Sequence, residues 1–125
     1  MKLTTKLKAL GAVALIALGA PVAAQDWEPS KPITIEIGFG AGGSTDTMGR
    51  VLAEVIKEQT GWNVIVENRP GGGGVAMFTS LSQRPADNHT VGMGVGIPVL
   101  VQLVQRGDEL PFNIDSFDYL GTIAK

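Results

Sequence analysis

The sequence has no cysteine and a single histidine. Without cysteine there is no disulfide to brace the chain, so its stability rests on a packed core. The lone His89 has no second histidine or paired carboxylate beside it and does not make a metal site. Ser44 has no base within reach in sequence, so no nucleophile and base pair is visible. Basic residues are few: 10 Lys and Arg face 12 Asp and Glu, for a formal charge of −2. That balance disfavours nucleic acid, which demands a basic footprint. No repeat of 20–50 residues and no low-complexity linker interrupts the chain. An uncharged, strongly apolar run stands at the N-terminus.

That run reads as a secretory signal. Lys2, Lys6 and Lys8 precede an apolar stretch from Ala9 to Ala20. Pro21 breaks it, and Val22-Ala23-Ala24 places small residues before a cut at Gln25. Basic, apolar and small-residue regions in this order mark a cleaved signal peptide over residues 1–24. The stretch is about 12 residues long, short of the ~20 that cross a bilayer. No later stretch is long and apolar enough to span, so no membrane insertion is expected after cleavage. The mature part, 25–125, works outside the cytoplasm. It loses three of the basic residues and none of the acidic ones, and so is more acidic than the whole. Its length suits one core. Phe117 to Ile123 reads as a strand with nothing to close it, as in a piece of a longer protein.

Glycine, by contrast, is plentiful, and its 17 residues cluster at 38–43, 71–74 and 92–96. Ile33 to Ile37 alternates apolar residues and reads as a strand. Gly38 to Gly43 turns the chain, and Ser44, Thr45 and Asp46 suit a helix start. Met48, Val51, Leu52, Val55 and Ile56 then recur at helical spacing, with Arg50, Glu54, Lys57 and Glu58 on the wet face. Gly61 ends this helix. Trp62 to Glu67 is a second strand. Asn68 to Gly74 is a second turn, followed by a helix that places Val75, Phe78 and Leu81 on one face and ends before Pro85. Thr90 to Val95 is a third strand. Pro98 suits the first turn of a helix over Val99 to Val104. Asp108 to Asp115 is irregular. The order βαβαβαβ implies an α/β fold, a parallel sheet with helices on its faces. Right-handed crossovers gather all three glycine clusters at one sheet edge, where open α/β sheets bind ligands.

Loop one, Gly38 to Asp46, joins a strand to a helix N-terminus. Glycines let backbone N–H groups face a ligand, and the helix start adds unpaired donors and partial positive charge. Together they favour a phosphate or carboxylate. The Ser44 and Thr45 hydroxyls can add donors or cap the helix. Asp46 would repel an anion unless backbone N–H groups occupy its oxygens. It either stabilises the first helical turn or accepts a hydrogen bond from a ligand ammonium or a bridging water. In loop two, Arg69 can meet a ligand carboxylate, although pairing with nearby Glu67 is favoured. Loop three, Gly94 to Ile97, again precedes a helix. Asn88-His89-Thr90 fits a glycosylation sequon that is common by chance.

Gly38-x-Gly40-x-x-Gly43 also satisfies the dinucleotide fingerprint, with Glu67 placed as a ribose-binding acid. On that pattern the chain would be a Rossmann oxidoreductase domain. Export through a signal peptide speaks against it, because free NAD is scarce outside the cytoplasm. Loop two behind Glu67 is also richer in glycine than a dinucleotide site requires.

A wider set of residues carries a resemblance. Ser30-Lys31-Pro32-Ile33-Thr34-Ile35, Phe39 with Gly42-Gly43-Ser44-Thr45-Asp46 and Arg50, and Val66-Glu67-Asn68-Arg69-Pro70-Gly71-x-Gly73-Gly74 follow in order. Pro85-Ala86-Asp87 before Thr90, and Leu110-Pro111-Phe112, continue the series. The chain resembles the N-terminal part of the tripartite tricarboxylate transporter substrate-binding receptors, the Bug family. The resemblance implies part of domain one of a type II periplasmic-binding, Venus-flytrap fold, with the second domain missing. It implies a receptor rather than an enzyme, without a cofactor. Such a receptor holds a small organic carboxylate in the periplasm for transporter membrane subunits. Carried over, the ligand contacts are Phe39, Gly42, Gly43, Ser44, Thr45, Asp46, Gly96 and Ile97. Two positions depart from the family: Gly38 stands where a proline is usual, and His89 where an aromatic ring is usual.

Overall fold

The computed structural model describes residues 27–123; the expected signal peptide, 1–24, lies outside them. Three short strands build one parallel sheet: β1 (Ile33–Ile37), β2 (Val64–Asn68) and β3 (Thr90–Met93), in the order β2-β1-β3. Three helices alternate with them: α1 (Ser44–Thr60), α2 (Val75–Ser82) and α3 (Gly96–Arg106).

The register fixes which residues share a face. Ile35 stands beside Val66 and Val91, and Glu36 beside Glu67 and Gly92. Strand side chains alternate between faces, so Ile35, Ile37, Val64, Val66 and Met93 share one of them. Buried Ile35, Ile37 and Ala53 form a core there, with Leu52, Phe39 and Met93 packed against it. Gly49 lets α1 approach that face. A Cβ on it would lie 2.5 Å from Ile37 Cδ1 and 3.3 Å from Met93 Sδ. On the opposite face Gly92 plays the same part for α2. A Cβ there would lie 2.8 Å from Met77 Sδ and 2.9 Å from Leu81 Cδ2. Helices therefore cover both faces, as a parallel sheet requires. The chain steps from β1 outward to β2, then crosses back over to β3. Between β1 and β3 the two crossovers diverge, which is the switch point of an open α/β sheet.

Three sequence expectations change. The Phe117 to Ile123 segment forms no strand. Ile114–Ser116 is a 3₁₀ turn closed by a capping box between Asn113 and Ser116. Phe117 then folds onto Phe78 and Phe112, with ring centroids 5.3 and 5.7 Å away. An aromatic trio over α2 takes the side chain that a fourth strand would have used. The buried stripe of α1 is also rotated from the expected one. Asp46, Gly49 and Ala53 are buried, while Met48, Val51 and Val55 are exposed. Small residues let the helix sit close to the sheet, and the Asp46 carboxylate has partners only on that side. In α2 the fully buried residue is Met77, with Val75, Phe78 and Leu81 flanking it half-buried. Gly61 does end α1, in the left-handed conformation at φ 75°, its N–H donating to Lys57 O at 2.9 Å.

Candidate functional site

The three glycine loops leave the sheet at one level and touch. Gly38 N–H donates to Met93 O (3.1 Å), and Arg69 N–H donates to Ile37 O (2.7 Å). Both ladders thus run one residue past the strands before the loops diverge. A Cβ on buried Gly38 would lie 3.0 Å from Gly74 Cα, so loops one and two meet backbone to backbone. A Cβ on Gly73 would lie 3.1 Å from Pro98 Cβ, which brings loop two against the start of α3. Gly71 to Gly74 all have positive φ, from 56° to 148°. Residues with a side chain rarely adopt such a run, which explains why four glycines stand in series.

Loop one is held from within by Asp46. Its Oδ2 accepts from Gly42 N–H (2.8 Å) and Arg50 Nε (3.0 Å). Its Oδ1 accepts from Asn68 Nδ2 (2.9 Å) and lies 3.0 Å from an Arg50 terminal nitrogen. Each oxygen therefore has two partners, the capacity of an ionised carboxylate. The Arg50 bonds foremost, then Gly42 N–H and the Asn68 amide, hold the carboxyl well below the usual carboxylate range despite its burial. Asp46 in turn raises the pKa of Arg50. Asn68 completes the knot by donating to Phe39 O (3.0 Å) and accepting from Arg50 (3.2 Å). Asp46 thus sits in the first turn of α1 with a backbone N–H on its carboxylate.

The other sequence-expected residues surround this knot. Gly43 is the N-cap of α1 and no side chain caps the helix, so the Ser44 and Thr45 hydroxyls do not serve there. Gly42, Gly43 and Ser44 are exposed and Thr45 is half-buried. The first N–H groups of α1 accordingly open on exposed backbone. Phe39 is half-buried against the core. Gly96 and Ile97 begin α3 across the switch point, and both are exposed. Arg69 does reach Glu67 (3.6 Å), and its Nε lies nearer to Glu36 (3.0 Å). Glu36 escapes a reading of β1 as a one-sided strand. A βαβ order already implies cover on both faces, so an acid in the central strand needed arginine partners.

His89 lies away from these loops. It is buried, and its Nε2 accepts from Ser30 N–H (3.2 Å) while Nδ1 faces Asp87 O (2.6 Å). Those two partners fit the neutral tautomer with the proton on Nδ1. Its ring also packs on Trp27, 5.6 Å between centroids. It thus fills the place of an aromatic ring and keeps two polar bonds. A separate concavity of about 230 Å³ lies between α3 and residues 112–119. Its walls, including Leu100, Leu103, Phe112 and Phe117, are almost wholly apolar, which does not suit an anion. Among the described residues no three His, Asp or Glu side chains gather to hold a metal ion. No helix among them is long and apolar enough to cross a membrane.

No protein-family model matches the chain. Individual relatives do. BugT of Bordetella pertussis is 39% identical over 92 residues, covering 73% of this chain and 28% of that protein. A UPF0065 protein of the same organism is 32% identical over 125 residues, covering 98% of this chain and 38% of that one. The chain is a homologue of the UPF0065/Bug proteins. This Bug homologue spans between about a quarter and two fifths of the length of those relatives. Solved structures agree on the fold. A periplasmic transporter superposes with a TM-score of 0.62 at 28% identity, over 68% of this chain and 28% of that one. R. palustris Rpa4515 with adipate superposes with a TM-score of 0.51 at 32% identity, over 55% and 23%. The solved neighbour of this Bug homologue that is named by its role is thus a transport protein rather than an enzyme. Its strand order also argues against the dinucleotide fingerprint. The usual dinucleotide fold places the third strand outside the second, whereas here β3 lies on the other side of β1. Gly38 serves close packing against Gly74 and a ladder hydrogen bond, which accounts for the first glycine of the fingerprint without a cofactor.

Proposed function

We propose that this Bug homologue supplies one wall of a periplasmic solute receptor for a small organic carboxylate. The receptor delivers that solute to the membrane subunits of a tripartite tricarboxylate-type transporter. The observation that carries the reading is the convergence of three glycine loops and the α1 N-terminus at the switch point of the sheet. Exposed N–H donors at a helix start favour an anion, and the donors of Gly43, Ser44 and Thr45 are the ones best placed. Phe39 and Ile97 offer apolar sides, and Gly96 lets a ligand approach the start of α3. Asp46 acts by holding Gly42 and Asn68, since its own oxygens are occupied. Adipate, a dicarboxylate held by one structural neighbour, supports this class. Residues 1–24 act as the export signal that brings the chain to its transporter.

Amide-shift titration of the full chain tests the reading. Adipate and related dicarboxylates are expected to move the amides of residues 42–45 and 96–97, and NAD is expected to move none. A response to NAD at loop one, with none to carboxylates, would favour the dinucleotide reading instead.

A further inference from the structure

Glu36 is fully buried in the middle of the central strand, on the face covered by α2. An ionised carboxylate in that place is costly unless it has partners. Its partners come from far along the chain. Arg69 Nε lies 3.0 Å and an Arg84 terminal nitrogen 2.6 Å from the same Oε1. Neither contact has hydrogen-bond alignment, so both are ion pairs held by charge. The two arginines occupy special places. Arg69 directly follows β2 and opens loop two, and Arg84 lies just past the end of α2. Everything between them, the positive-φ run Gly71 to Gly74 and the helix behind it, is tied at both ends to one carboxylate.

We propose that Glu36 is a positioning residue for the carboxylate site: by clasping Arg69 and Arg84 it sets where the glycine loop 71–74 stands in the crevice. The inference rests on the receptor reading for its functional half. Beyond the Arg69 N–H bond to Ile37 O and the packing of Gly74 on Gly38 and Gly73 on Pro98, loop two is glycine backbone, the freest there is. Its internal bonds are Gly74 N–H and Ala76 N–H to Gly71 O, at 3.0 and 3.2 Å, and Val75 N–H to Gly72 O. A buried ion pair contributes little net stability over an apolar pair of similar shape. Its place in the sheet centre is explained by geometry: the carboxylate reaches two arginines at once, and an apolar side chain would not.

Hydrogen exchange and adipate titration on the full chain test this. In Glu36→Gln and Arg69→Met, the amides of Gly74 and Ala76 are expected to exchange about tenfold faster, with Gly61 unchanged. The dissociation constant for adipate is expected to rise about tenfold, as a wall loses its preorganisation. Arg84→Met is expected to act in the same direction. If Glu36→Gln speeds Gly61 as well, the fold itself has loosened, and the two arginine variants decide. Unchanged exchange at Gly74 and Ala76 in folded variants overturns the clasp. Faster exchange with wild-type adipate affinity overturns its role in the site. If tens of millimolar adipate moves no amide of residues 42–45 or 96–97 in the wild-type chain, the receptor reading fails, while exchange still decides whether Glu36 holds the loop.

Discussion

Asp46 ties a glycine turn, a helix and a neighbouring strand together through one carboxylate. Its pKa is depressed in the fold, so it stabilises the native state above the ordinary carboxylate range. That contribution fades as pH falls from this range towards the lower native value. Asp87, lowered to about 2 by the Lys31 bond and then by His89 N–H, follows the same sign. Its contribution is lost between the ordinary 3.8 and about 2. Denaturation midpoints followed from pH 5 to 2 are expected to fall less steeply in Asp46→Asn and Asp87→Asn than in the parent (about one proton each). Neighbouring glycines in loop one separate fold from binding. Gly42 sits at φ 82°, and alanine there is expected to cost about 1–2 kcal/mol of stability in urea unfolding. Gly43 has an ordinary φ of −79°, and a Cβ on it would stand 3.5 Å from Gly40 O. Glycine is favoured over valine at an N-cap, so Gly43→Val is expected to cost no more than about 1 kcal/mol in urea unfolding. It is expected to abolish the adipate-induced shifts, because the side chain screens the N–H donors.

The contacts between elements depend on missing side chains as much as on those present. Gly49 seats α1 on Ile37 and Met93, and Gly92 seats α2 on β3. Gly49→Leu is expected to destabilise the chain. Helix propensity returns about 1 kcal/mol on leaving glycine, but overpacking costs about 1–3 kcal/mol and the clash involves fully buried Ile37 and half-buried Met93. Urea denaturation checks the sign. This seam also shows what the sequence displays. Strand β1, the loop after it, the start of α1 and its Gly61 stop are legible because period, glycine and helix-start residues agree locally. The buried face of α1 is not, because Met48, Val51 and Val55 carry the apolar pattern while Gly49 and Ala53 carry the contact. Hydrophobic spacing rewards large residues, and a tight helix and sheet seam selects small ones. The segment from Phe117 misleads for a related reason. Its strand pattern is real, but Phe117 packs on the rings of Phe78 and Phe112 instead of pairing with the sheet. Glu36 and its arginines stay hidden because their pairing spans 33 and 48 residues and depends on the crossover.

At the scale of the molecule, the strand order β2-β1-β3 decides more than any motif. It gathers loops one and three at a switch point, and it separates this sheet from the dinucleotide fold that residues 38–43 imitate. Yet one sheet with three loops is an open wall. Ligand clefts commonly enclose about 70–90% of a small molecule. The chain spans 28% of BugT and 38% of the UPF0065 relative, and α3 leaves Ile97 and Val104 74% and 87% exposed. A single wall can supply helix-start donors but cannot exclude water from the far side of the ligand. Each donor then competes with solvent and contributes little net free energy. Adipate is therefore expected to bind this chain with a dissociation constant of about 1 mM or weaker, some −4 kcal/mol. Amide-shift titration reads this range directly. A micromolar constant for residues 25–125 would mean that the three loops enclose the ligand by themselves, and that the wall is already a complete site.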